Sequence, residues 1–214
     1  MAKRNNKSAD NLKGEKYKFN IEDHIVAEEW TYTRPGKTFF DMDYLEILDF
    51  FCMHSPCRQG SFSPLTLEKI GWKNQWNSKK FRDKVSELLG LTDENFKVTK
   101  YQHNFKEIWS ASGIIDDFSR MRYPFAYLAE AGETNDFMNL FHRIRNSFAH
   151  GRYKIIRDNG EYYIYFEDVK QDNGYIYVLG RMCLTKTGLD NLRKFLMLKD
   201  QSSTSFKSLL SDDI

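Results

Sequence analysis

Cysteine is scarce in this 214-residue chain: Cys52, Cys57 and Cys183 are an odd set with no framework spacing. A disulfide scaffold is thereby excluded, and a reducing, cytoplasmic setting follows. No apolar run approaches the ~18 residues of a membrane span. The basic start, MAKRNNKSADNLKGEK, has neither the apolar stretch nor the small-residue cleavage site of a secretory signal. Internal repeats and low-complexity runs are absent, and so are a P-loop, a Ser/His/Asp arrangement and a pair of catalytic carboxylates. Cys52, His54 and Cys57 crowd into six residues and could begin a metal half-site, but their spacing is not that of a zinc knuckle and no second pair follows. Neither a metal nor any other cofactor is expected.

Strong overall charge is also lacking. Residues 1–18 hold Lys3, Arg4, Lys7, Lys13, Lys16 and Lys18 against Asp10 and Glu15, a net of +4 against a whole-chain +2, so the remainder carries −2. Any nucleic-acid site must therefore be a local patch. What is present is apolar material: 41% hydrophobic and 15% aromatic residues are enough for a core within one domain.

The patch is legible in LFHRIRNSFAHGRY, residues 140–153. Phe137, Leu140, Phe141, Ile144 and Phe148 recur at the three-and-four spacing of one buried helix face, and Gly151 is the residue type that commonly ends a helix. Thr134 or Asn135 would cap it, with Asp136 in the first turn. At roughly 100° per residue, Arg143, Asn146 and His150 fall together opposite the apolar stripe, with Arg145 on the flank. From 141 to 157 the chain carries Arg143, Arg145, Arg152, Lys154 and Arg157 and no acid, so an anionic partner, phosphate above all, is favoured there. Arg120 and Arg122 could reach an RNA backbone beside it. On the wheel, Arg145 and His150 point about 140° apart and lie roughly 7.5 Å apart along the axis.

These residues are similar to a known family. Arg145-Asn146-Ser147-Phe148-Ala149-His150 resembles the Arg-polar-x3-His signature of the HEPN superfamily, helical domains that are often RNases in toxin–antitoxin, abortive-infection and other antiviral defence systems. The apolar helix before the signature and the basic RYKI after Gly151 fit as well, and the resemblance spans about 112–153. It implies a metal-independent endoribonuclease with Arg145 and His150 as the catalytic pair and Asn146 assisting, acting as a homodimer on RNA, with an antitoxin or defence-system partner. The alternative is a catalytically silent HEPN module that binds RNA or protein. In HEPN toxins governed by a nucleotidyltransferase, a modified Tyr stands two residues after the His. Here Arg152 holds that place and Tyr153 follows it, which argues against that control and leaves Tyr153 as the candidate for modification.

The chemistry agrees with the residue types. Cleaving RNA through its own 2′-hydroxyl needs a base, a donor for charge on the phosphorane and a proton for the leaving oxygen. Imidazole can serve as acid or base, guanidinium forks onto phosphate oxygens, and the Asn amide can orient either.

Around this helix the chain predicts a basic, disordered leader over 1–18, a short helix within 20–33 opened by Asn20, and an amphipathic helix over 38–54 with Phe40, Tyr44, Ile47, Leu48 and Phe51 inward. A turn at Ser63-Pro64 with a short helix, and a capped helix ending at Gly90 with Phe81, Val85, Leu88 and Leu89 inward, follow. Residues 104–132 are helical in composition with a break near Tyr123-Pro124. Asp158-Asn159-Gly160 signals a hairpin, a third strand covers GYIYVLGRMCLT, a last helix covers Lys186–Lys199, and 201–214 is a flexible tail. The expected fold is therefore mainly α: a HEPN-like helical bundle over 19–200 with a small antiparallel sheet, about 153–185, inserted before the C-terminal helix.

Overall fold

The computed structural model describes residues 20–27, 42–55, 57, 78–100, 103–131, 135–172 and 174–197. The expected leader and tail, Phe40, residues 28–33 and the Ser63-Pro64 turn with its helix lie outside the described residues.

Helices α1 (Met42–Met53) and α2 (Lys79–Leu89) come first, then strand β1 (Phe96–Thr99), the short helix α3 (Phe105–Ser110) and β2 (Phe125–Ala129). Helix α4 (Asp136–Ala149) follows, then β3 (Tyr153–Asp158), β4 (Glu161–Asp172), β5 (Tyr175–Thr185) and α5 (Lys186–Met197). The strands form one sheet in the order β1-β2-β5-β4-β3, with β1 and β2 parallel and every other pair antiparallel.

This overturns the mainly α bundle with an inserted sheet. The sheet is the centre of the fold, a mixed α/β arrangement, and its second strand comes from the stretch expected to be helical. Phe125–Ala129 is buried at every position. A strand covered on both sides shows no polar alternation, so its period does not distinguish it from a buried helix, and Ala126, Leu128 and Ala129 are good helix formers besides. Pro124 does not kink a helix but precedes a strand, where its carbonyl accepts a hydrogen bond from Asn95 Nδ2 at 2.9 Å. Helix α3 is confined to six residues, capped by Asn104 and followed by Gly113 at φ +66°.

Elsewhere local rules hold. Ser78 caps α2 and Gly90 closes it in the left-handed conformation. Asn159 at φ 48° and Gly160 at φ 88° give the β3–β4 turn its two positive-φ residues. Asn20 caps a single 3-10 turn, Ile21–Asp23, shorter than the helix expected there.

Apolar residues on one sheet face, Ala126, Leu128, Ile164, Phe166, Met182 and Leu184, pack with α4, α5, α1 and α2. Gly188 lets α5 approach α2 closely, since a Cβ there would stand 2.9 Å from the Leu88 carbonyl oxygen. The other face, with Phe125, Tyr127, Tyr165 and Cys183, is covered by Ile25, by Phe105 and Trp109 of α3, and by Ile114 and Phe118. Helix α4 is thus held on the sheet by Phe137, Leu140, Phe141, Ile144 and Phe148, all buried as their spacing predicts. Among the described residues, no helix is long and apolar enough to cross a membrane.

Candidate functional site

Helix α4 begins at Asn135, whose Oδ1 accepts from Met138 N at 3.0 Å. It ends in a Schellman arrangement: His150 is the C-cap, Gly151 follows at φ +64°, its N–H reaches Phe148 O at 3.0 Å, and Arg152 N–H reaches Ser147 O at 2.8 Å. Glycine takes the left-handed conformation without Cβ strain, so the chain turns sharply from helix into β3 and His150 stands exposed at the corner.

The surface left to α4 by the sheet and by α1 is a strip. His142, Arg145 and Asn146 are half-buried along it, and Ala149 and His150 are exposed at its end. Arg145 Nη1 donates to Asn146 Oδ1 at 2.9 Å, and Asn146 Nδ2 faces Asp168 Oδ2 of β4 at 3.5 Å. Two of the three expected catalytic residues are therefore in contact, and the third lies one helical turn beyond Asn146.

Arg143 behaves otherwise. It shares the wheel sector of Asn146, yet it is 3% exposed. Nη1 is 2.6 Å from Asp168 Oδ2, Nε and Nη2 donate to Ala129 O at 3.2 and 2.9 Å, and Nη2 also reaches Glu130 O at 3.2 Å. It ties α4 to the end of β2, and the expected RNA contact is corrected to a buried structural role. The wheel placed it outward because the apolar stripe is narrower than the face that the sheet covers.

The remaining expected RNA contacts collect on the opposite sheet face. Arg152 pairs with Glu167, which also holds Arg181 Nη2 at 2.8 Å. Lys154 Nζ donates to Ser119 Oγ at 3.2 Å. Arg122 donates to Tyr165 OH at 2.7 Å and pairs with Asp158 at 3.3 Å, while the exposed Arg120 pairs with Asp117 at 2.9 Å. The structure brings Arg120, Arg122 and Lys154 together around Ser119, away from the α4 strip, each with an internal partner.

Tyr153 sits half-buried at the start of β3, its ring edge-on to Phe148 at 5.1 Å. The hydroxyl of Tyr44 in α1 is driven above the ordinary tyrosine range by burial first and by Tyr153 second. Cys52 lies within the field of Arg145, which favours the thiolate, but burial outweighs this and pushes the thiol up to about 11, with Asp49 adding to the rise. A thiol held protonated at neutral pH is a poor nucleophile. His142 is shifted down by burial first and then by the Arg143 charge, against the pull of Asp168, so a neutral imidazole shares the strip. Among the described residues no group of three His, Cys, Asp or Glu is placed to hold a metal ion.

Sequence reasoning missed Glu167, Asp168 and Arg181. A signal was available: these charges interrupt the strand-like runs YYIYFEDV and YIYVLGRMCL, and charges in a strand buried on both faces must have partners. Comparison of the chain with protein families, with curated proteins and with solved structures finds no match.

Proposed function

We propose that the protein is an endoribonuclease that cuts RNA without a metal, a cytoplasmic toxin or antiviral defence effector working as a homodimer. The observation that carries this reading is the contact of Arg145 with Asn146 on the α4 surface, one turn before the exposed His150. The guanidinium holds non-bridging phosphate oxygens and offsets charge in the transition state. The Asn146 amide fixes the guanidinium, and His150 takes the 2′-hydroxyl proton as that oxygen attacks phosphorus. The P–O5′ bond breaks, a proton passes to the leaving oxygen, and the product ends in a 2′,3′-cyclic phosphate. The fold differs from the helical bundle that the resemblance implies, so the proposal stands on the signature and its local geometry. Arg145 and His150 diverge along one helix, and a two-fold pairing of α4 strips would bring Arg145 of one chain toward His150 of the other.

A silent RNA- or protein-binding module is the second reading: the internal partners of Arg120, Arg122, Arg152 and Lys154 leave fewer cations to hold an RNA strand for cleavage. Labelled RNA incubated in excess EDTA separates the two. The enzyme cleaves there, and His150→Ala lowers the rate by about 10²- to 10⁴-fold, the usual worth of a general base. Activity that requires added Mg²⁺, or cleavage that continues at a 2′-deoxy position, overturns the mechanism. Cleavage by neither protein, with RNA retained on both, selects the binding module.

A further inference from the structure

We infer that Asp168 is the positioning residue of the α4 site: its buried carboxylate sets the Asn146 amide and, through it, the guanidinium of Arg145. The inference rests on reading Arg145, Asn146 and His150 as the RNA-cleaving group, and it adds to them a residue from β4 that the signature does not contain.

The first observation is the continuity of the chain of contacts. Asp168 Oδ2 stands 3.5 Å from Asn146 Nδ2, and Asn146 Oδ1 accepts from Arg145 Nη1 at 2.9 Å. The amide has two ends of opposite character. With Nδ2 turned to a carboxylate oxygen, Oδ1 must face Arg145, whereas the flipped amide would set two donors against each other and two acceptors against each other. Asp168 therefore decides which end of Asn146 Arg145 meets. At 3.5 Å the contact is at the long end for a hydrogen bond, and the preference that the carboxylate imposes on the amide is electrostatic first.

The second observation is that β4 and β5 are built to place this carboxylate. The register between β4 and β5 shifts beside this carboxylate: Asp168 pairs with Gly180 and Val169 with Val178, so Leu179 of β5 is the extra residue of a bulge next to the Asp168–Gly180 pair. Gly180 of β5 is paired with Asp168, and where its Cβ would be, Leu128 Cδ2 stands 3.2 Å away and Arg143 Cγ and Cδ 3.6 Å away, so the glycine lets the Arg143 stem pack close over this pair. The neighbouring Glu167 points to the other face and pairs with Arg152, two residues after His150. Consecutive acids of one strand thus hold both ends of the 146–152 corner.

The bland account is that Asp168 serves only as the counterion of Arg143, and two matched variants separate the accounts. Arg143→Met/Asp168→Leu removes the ion pair and the acceptor for Asn146. Arg143→Met/Asp168→Asn removes the same ion pair but keeps an acceptor oxygen. The expected result is that the Leu variant loses roughly 10- to 100-fold in kcat at unchanged KM, with a urea midpoint matching that of the Asn variant, as displaced supporting groups do, and that the Asn variant regains most of that loss. Equal kcat in the two variants overturns the inference. The Asn146 side-chain amide, followed by hydrogen exchange in NMR spectra of the full chain, reads the geometry without turnover. Its exchange should be slow in the wild type and in the Asn variant and fast in the Leu variant; unchanged exchange overturns the positioning claim whatever the RNA assay gives. A wild type that cleaves no RNA, with exchange responding as expected, refutes the ribonuclease reading and with it a positioning role in catalysis, while leaving the contact itself established.

Discussion

Replacing Arg143 alone by methionine tests the buried pair most severely. The side chains of Arg143 and Asp168 are 4% and 2% exposed, and the 2.6 Å contact between them is accompanied by bonds from Arg143 to Ala129 O and Glu130 O. Methionine fills the stem but leaves the carboxylate buried with only Asn146 at 3.5 Å and removes both donors from Ala129 O. Breaking a buried pair from one side costs about 3–5 kcal/mol, a large share of the 5–15 kcal/mol by which domains are usually stable. Removing both charges is much cheaper, because hydrophobic replacements avoid the desolvation of two ions; the orphaned carbonyls leave a residual loss of about 1–3 kcal/mol. With urea slopes of about 1–3 kcal/mol per M, Arg143→Met should lower the unfolding midpoint by roughly 1–5 M, and Arg143→Met/Asp168→Leu should recover much of that fall. Tryptophan fluorescence reports the transition, Trp109 being fully buried. A single variant within about 0.5 M of wild type, or a double variant no better than the single, would refute the account of Arg143 as a buried anchor; adding Asp168→Leu completes a double-mutant cycle that isolates the pair.

Two further outcomes are expected. His24, buried between Phe105 and Tyr177, and the half-buried His142 are both shifted down, His24 chiefly by burial against a smaller opposing effect of Asp23. The unfolded chain therefore binds more protons than the native one below about pH 6.5, the ordinary histidine value, so stability present above that pH is lost as pH falls. Urea midpoints at pH 7.5 and 5.5 should differ in that sense and converge in His24→Phe/His142→Gln; an equally steep pH dependence in the double variant counts against the assignment. For the proposed dimer, Arg145→Ala and His150→Ala chains refolded together should regain part of the lost RNA cleavage through one composite site. Proven heterodimers without recovery would reject pairing in trans.

What the chain states locally, it states clearly. The caps at Ser78 and Asn135, Gly90 and Gly151 in the left-handed conformation, the Asn159-Gly160 turn and the apolar faces of α1, α2, α4 and α5 all follow from rules that act within a few residues. The contact of Arg145 with Asn146 is local too, since the residues are adjacent. The central sheet is not, because Phe125–Ala129 becomes a strand only when β1 and β5 flank it, and composition alone favours a helix there. Arg143 and Arg145 differ in the same way: both are arginines on one helix, but a carboxylate 25 residues downstream, above a glycine on the next strand, draws the first inward and leaves the second at the surface. A helical wheel measures direction, whereas burial depends on what packs against that direction. That Asn146 and His150 share one side of a helix ending at Gly151 was therefore legible in the sequence, whereas the burial of Arg143 and the partners that hold it were decided by the tertiary structure.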